Sequence, residues 1–166
     1  MKNLVFICFS FWFFSCGKNT PKNEIFKALD AKDTGVDFSN DLKPSGDLNI
    51  FNYMYFYNGG GVATADLNND GKQDLIFTSN QNQNKIYLNK GGLKFEDVSE
   101  AANFKNEKSW STGVSVVDIN QDGLLDIYIN RVGKFEMLSG HNLLFICDNI
   151  DKNGVPHYNE SSAEYG

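Results

Sequence analysis

Six aspartates of this chain fall into two sets of three. Asp66, Asp70 and Asp74 lie in DLNNDGKQD, and Asp118, Asp122 and Asp126 lie in DINQDGLLD, 52 residues further on. Both stretches read D-x-N-x-D-G-x-x-D, with Leu or Ile next. Oxygen-bearing side chains stand at positions 1, 3, 5 and 9. Gly at position 6 permits a sharp turn, after which position 7 offers its backbone carbonyl. The ligand set expected of the first loop is Asp66, Asn68, Asp70, the carbonyl of Lys72, and Asp74. That of the second is Asp118, Asn120, Asp122, the carbonyl of Leu124, and Asp126. These are hard oxygen donors spaced to wrap a single ion. Three carboxylates per ion suit Ca²⁺ better than Mg²⁺, which keeps several waters. Neither loop offers soft ligands for zinc or copper. The expectation is two Ca²⁺ sites; the alternative, a metal-free Asx-rich turn, is weakened by the repetition. An EF-hand is excluded, because its twelfth position needs Glu and finds Phe77 and Ile129.

The segments that must position these loops also repeat. GGGVATAD leads into the first loop and STGVSVVD into the second. LIFTSN and DIYIN, both β-prone, leave them. KIYLN matches NLLFIC, and KFEDVS matches HYNESSAEYG, with polar or Gly-containing turns between. Each copy reads strand, acidic loop, strand, turn, strand, turn, strand. A unit of this size with four short strands is the pattern of a propeller blade. No segment holds a helical period over ten residues. The fold class expected is all-β: four-stranded propeller blades, at least two repeats, with an incomplete ring. Two blades do not close a ring, so these residues are expected to be the N-terminal part of a longer protein or a truncated product.

The chain has 166 residues and a net charge of −6, which argues against a nucleic-acid partner. The acidic excess is concentrated in the two loops. FNYMYFY, residues 51–57, reads as a β-prone aromatic stretch. Alternation would put Phe51, Tyr53, Tyr55 and Tyr57 on one face, as packing or as a stacking platform for sugar rings. A short helix is expected near residues 24–31, inside a polar tether running to about residue 48. Cys147, in an apolar run, reads as a small buried hydrophobe. His141 and His157 are isolated and read as solvent-facing. No GxSxG, HExxH, CxxC or phosphate-binding glycine loop occurs, so a catalytic role is not expected.

The first residues are a separate matter. Lys2 precedes a short apolar run over residues 4–14, too short to span a bilayer and typical of an export signal. Its ending Phe-Phe-Ser-Cys resembles the lipobox of bacterial lipoproteins, with Phe13 where Leu is usual. That resemblance implies lipidation of Cys16 and an anchor that holds the protein on a membrane without crossing it. Gly17 after Cys16 leans toward the outer membrane.

GGGVATADLNNDGKQDLIFTSN and STGVSVVDINQDGLLDIYIN resemble the FG-GAP or VCBS repeats of β-propellers, which include the calcium-bearing blades of integrin α-subunits. Together with the lipobox, the chain is similar to the start of bacterial VCBS-repeat lipoproteins that often end in an ASPIC/UnbV domain. The implied division is a signal peptide over 1–15, lipidated Cys16 and tether over 16–50, and repeats over 51–104 and 105–166. The function expected is non-enzymatic recognition or adhesion at the bacterial envelope, binding a glycan, a peptide or an envelope protein. The alternative is that the blades scaffold a larger polysaccharide-active enzyme whose catalytic site lies beyond Gly166.

Overall fold

A computed structural model describes residues 25–105, 109–135 and 138–165. The signal segment and Cys16 lie outside the described residues. Strands β1 (Val62–Ala65), β2 (Asp74–Phe77), β3 (Lys85–Gly91) and β4 (Lys94–Asp97) form one antiparallel sheet in chain order. Strands β5 (Ser111–Val117), β6 (Asp126–Arg131), β7 (Leu143–Ile150) and β8 (Pro156–Glu160) form a second sheet in the same order. Two one-turn helices, α1 (Ala31–Thr34) and α2 (Ser162–Tyr165), flank them. Spatial order follows chain order because antiparallel neighbours need only short connections. The chain is thus mostly β, as two matching four-stranded antiparallel sheets. Among the described residues, no helix is long and apolar enough to cross a membrane.

The two sheets bury one core between them. The first contributes Ile76, Ile86 and Leu88, with Leu67 from its acidic loop. The second contributes Ile127, Ile129, Leu143, Phe145, Cys147 and Tyr158. Val98, Ala102 and Phe104, which follow β4, close the same cluster. Phe104 lies against Phe145, with ring centroids 4.6 Å apart. The β-branched Ile residues pack on pleated faces, where their stiff side chains lose little freedom. Cys147 is fully buried, as its apolar setting implied, and burial pushes its thiol up to about 11.

Glycines let the sheets meet edge to edge. A Cβ on Gly60 would lie 1.9 Å from the Thr78 carbonyl oxygen, and one on Gly61 would lie 2.6 Å from that of Thr112. In that space the Gly61 N–H donates to Thr78 Oγ1 (2.6 Å), and the Thr78 hydroxyl donates to the Thr112 carbonyl (2.5 Å). Asn80, also buried, donates to the carbonyls of Gly59 and Ser111. Gly60 and Gly61 therefore mark a close backbone approach to β2 and β5.

The segment before β1 departs from expectation. Residues 51–57 form no strand. Tyr53 N–H donates to the Asn49 carbonyl, Phe56 N–H to that of Tyr53, and Asn58 N–H to that of Tyr55. This winding buries Tyr53 and Phe56 beside Trp110, while Phe51, Tyr55 and Tyr57 face solvent. The shared aromatic face does not exist: burial follows a spacing of three, because Trp110 and Leu138 supply the pocket. The helix expected near residues 24–31 is instead α1, a single turn closed by Gly35 at φ 82°. Ordered packing also begins before residue 51. Phe38 stacks on Phe77 at 4.8 Å, and the Tyr87 hydroxyl donates to Asp37 at 2.8 Å. Asn40 Oδ1 accepts from Asn80 N–H and from the Ser79 hydroxyl. This segment covers the face of the first sheet that points away from the second.

Candidate metal centre

Each acidic loop spans the hairpin between the first two strands of its sheet, from Ala65 to Asp74 and from Val117 to Asp126. The loops are wound by the same side-chain hydrogen bonds. Asp66 accepts from the N–H of Asp70 (2.9 Å) and of Gly71 (2.8 Å). Asp118 does the same for Asp122 (3.1 Å) and Gly123 (2.9 Å). Asn68 and Asn120 each accept from the N–H two residues on. Asp70 takes the N–H of Lys72, and Asp122 that of Leu124. Asn69 and Gln121 adopt positive φ, 58° and 62°, followed by glycines at 82° and 88°. The left-handed pair tightens the turn, and Gly bears it without a Cβ penalty.

The ninth position does something the pattern did not announce. Asp74 and Asp126 are fully buried. Asp74 accepts from Leu67 N–H (2.9 Å) with one oxygen and from Asn89 N–H (2.8 Å) with the other. Asp126 accepts from Ile119 N–H and Cys147 N–H, both at 2.9 Å. Regular pairing of β2 with β3 ends at Leu75–Tyr87, and that of β6 with β7 at Ile127–Phe145. The carboxylate then supplies the acceptor that the next ladder carbonyl would have given. Both third strands shift register just beyond, at Asn89/Gly91 and Cys147/Asn149. These aspartates therefore join three chain segments each.

The loops also touch. Asn69 Nδ2 donates to the Gly123 carbonyl at 3.3 Å, and Asn68 Nδ2 to the Gly154 carbonyl at 3.1 Å. Both acidic loops consequently lie side by side on one rim. Of the expected ligands, Asp70 and Asp122 are exposed, Asp66 and Asp118 half-buried, and Asp74 and Asp126 turned inward. Among the described residues, no three Asp, Glu, His or Cys side chains gather into a ready metal cluster. The hydrogen bonds above account for this, since they direct the first and ninth carboxylates at backbone amides.

The donor set still fits a hard cation in kind. It consists of oxygens alone, and a carboxylate oxygen holding one N–H keeps a second lone pair. The first loop even carries a cation of its own. Lys72 Nζ lies 2.8 Å from Asp70 Oδ2. Its amine is raised from the usual lysine value, first by that hydrogen bond and then by the charges of Asp70, Asp74 and Asp66. Only its carbonyl was expected to matter; the reach of a long side chain at position 7 was the signal available.

The electrostatics separate two carboxylates of the same loop. Asp74 is raised from its ordinary range, first by burial, against the pull of its two backbone amides. The proton-linked part of its contribution is present below its unfolded value and fades as pH rises through the folded one, whereas its two amide hydrogen bonds are ones an ionised carboxylate also accepts. Asp70 is lowered, first by the Lys72 side chain. Its contribution is present above the unfolded value and is lost as pH falls through the folded one.

If Asp126 is a structural pin, removing it strands the buried Cys147 amide at about 1–3 kcal/mol and loses a part-buried bond to the Ile119 amide at about 1 kcal/mol. Asp126→Ala should cost about 2–4 kcal/mol in metal-free denaturant unfolding, and Asp126→Asn less, since the amide keeps one acceptor. An alanine variant as stable as the parent protein would show that these bonds do not hold the sheet.

Residues 66–129 match the family described as FG-GAP-like repeat. The match runs from the first aspartate of the first loop, through the second loop, into β6. No curated protein matches the chain. An FG-GAP-like repeat is present at 66–129, and such a repeat suggests a β-propeller-type adhesion or recognition domain.

Proposed function

We propose that this chain is the blade-bearing part of a calcium-binding β-propeller that serves recognition or adhesion from a lipid anchor on the bacterial envelope. The observation that carries the reading is the pair of acidic loops with one hydrogen-bond scheme, set side by side on one rim within an FG-GAP-like repeat. Residues Asp66, Asn68, Asp70, Asp74 and the Lys72 carbonyl would hold one Ca²⁺. Asp118, Asn120, Asp122, Asp126 and the Leu124 carbonyl would hold the other. The ion supplies charge neutralisation and a fixed loop shape; the protein supplies a ninth-position carboxylate already set by two amides. Six carboxylates in two touching loops repel one another without it. The role is binding rather than catalysis, and the partner is a glycan, a peptide or an envelope protein.

Continuation of the stack supports the propeller. Leu67 is 1% exposed because the second sheet covers it; its counterpart Ile119 is 43% exposed. Ile76 is fully buried, whereas its counterpart Tyr128 is half-exposed. An open cleft of about 750 Å³ runs over this face, lined by Ile119, Tyr128, Leu144 and Tyr165 among others. A third sheet packed as the second packs on the first would cover it.

Three measurements test the proposal. Calcium should raise the melting temperature by mass action, more than equal Mg²⁺, and chelator should reverse the rise. Calorimetry should count two ions, with Asp70→Ala or Asp122→Ala each removing about one. A folded protein showing neither calcium heat nor thermal shift would contradict the metal assignment. For the anchor, Cys16→Ser should abolish lipid labelling and move the protein to the soluble fraction; labelling that survives would end the lipoprotein reading.

A further inference from the structure

The two loops share their backbone hydrogen bonds but differ at position 7. Lys72 lays its ammonium on Asp70. Leu124 carries no charge and packs against the core between the sheets. We infer that Lys72 is a tethered counter-cation that makes the two loops unequal: the second loop takes a divalent cation directly, and the first only after its own ammonium is displaced. The inference rests on the calcium reading above.

The geometry of Lys72 is that of a removable occupant. Its Nζ sits 2.8 Å from Asp70 Oδ2, the outer oxygen of a carboxylate whose other oxygen is held by Lys72's own N–H. Both side chains reach solvent, at 43% and 32% exposure, so the ammonium has an open route away. Its stem passes Gly91 at the end of β3, where a Cβ would sit 4.0 Å from Lys72 Cε, in ordinary contact. A divalent ion arriving at Asp66, Asp70 and Asp74 meets like charge at short range and must expel it.

The second loop holds no such charge. There Asp122 Oδ2 accepts instead from the neutral Asn120 amide at 2.8 Å. An incoming cation needs only to turn that amide, whose oxygen is itself a suitable donor. The counterpart amide in the first loop is shared: Asn68 Nδ2 donates to Asp70 Oδ2 at 3.4 Å and also to the Gly154 carbonyl at 3.1 Å, which ties it in place. The ammonium, and the tie of Asn68 to Gly154, therefore favour filling the second loop first. Because the Lys72–Asp70 pair is solvent-exposed, the difference is modest and shrinks as salt rises.

The test is a calcium titration of the full chain by calorimetry, at low and at moderate salt, with Lys72→Met and Lys72→Arg as variants. The unsubstituted protein should show two unequal sites. Lys72→Met should tighten the weaker site by about two- to fivefold and leave the tighter one unchanged. Lys72→Arg, which keeps the charge, should preserve the gap. Both are exposed substitutions, and an unchanged melting curve in chelator confirms folding. Two equal sites, or a weaker site indifferent to Lys72→Met, would overturn the role of Lys72 while leaving calcium binding intact. No calcium heat in any of the three proteins would overturn both.

Discussion

A buried aspartate that accepts two backbone amides is the interaction on which each sheet depends. Asp74 and Asp126 stand where an acidic loop becomes a strand. One oxygen holds the amide that opens the loop, and the other holds an amide of the third strand past the end of its ladder. Such a carboxylate is tolerable in the interior only because both oxygens are satisfied. Its hydrogen bonds fix the loop's two ends at a set separation. The loop between must then turn within eight residues, and it does so with Asx bonds and a left-handed Gly.

That constraint places the remaining charge. With the ninth carboxylate inward and the first bound to loop amides, the fifth carboxylate is left facing solvent. In the first loop Lys72 already answers it. In the second it is answered only by an amide. The bond from Asn69 to the Gly123 carbonyl keeps both loops on one rim. The opposite ends of the stack differ as well. One is covered by the segment carrying Phe38 and Asn40, while the other exposes Ile119 and the cleft beside Tyr128.

Much of this was legible in the sequence. The duplicated loop and the alternating Ile residues around it were enough to place β2 to β8 within a few positions, because pattern and turn chemistry agreed. The aromatic stretch at 51–57 was not legible. Seven consecutive strand-prone residues read with a period of two, yet their burial is decided by Trp110, more than fifty positions away. Nor was the packing of residues 36–48, whose polar bonds to Asn80 and Ser79 leave no hydrophobic period to detect. At the loops the types of donor were readable and their directions were not. Nothing in D-x-N-x-D-G-x-x-D distinguishes a carboxylate aimed at an ion from one aimed at an amide, and only the end of the β2–β3 ladder reveals the second use.

The ninth-position aspartates organise each sheet through backbone amides without any ion. Amide hydrogen exchange in chelator tests this most directly, at Leu67, Asn89, Ile119 and Cys147. These four amides should exchange as slowly as those within the strand ladders, although all four lie beyond regular pairing with β2 or β6. Exchange at the rate of the exposed loop amides, slowing only when calcium is added, would contradict it and assign these aspartates to the ion alone.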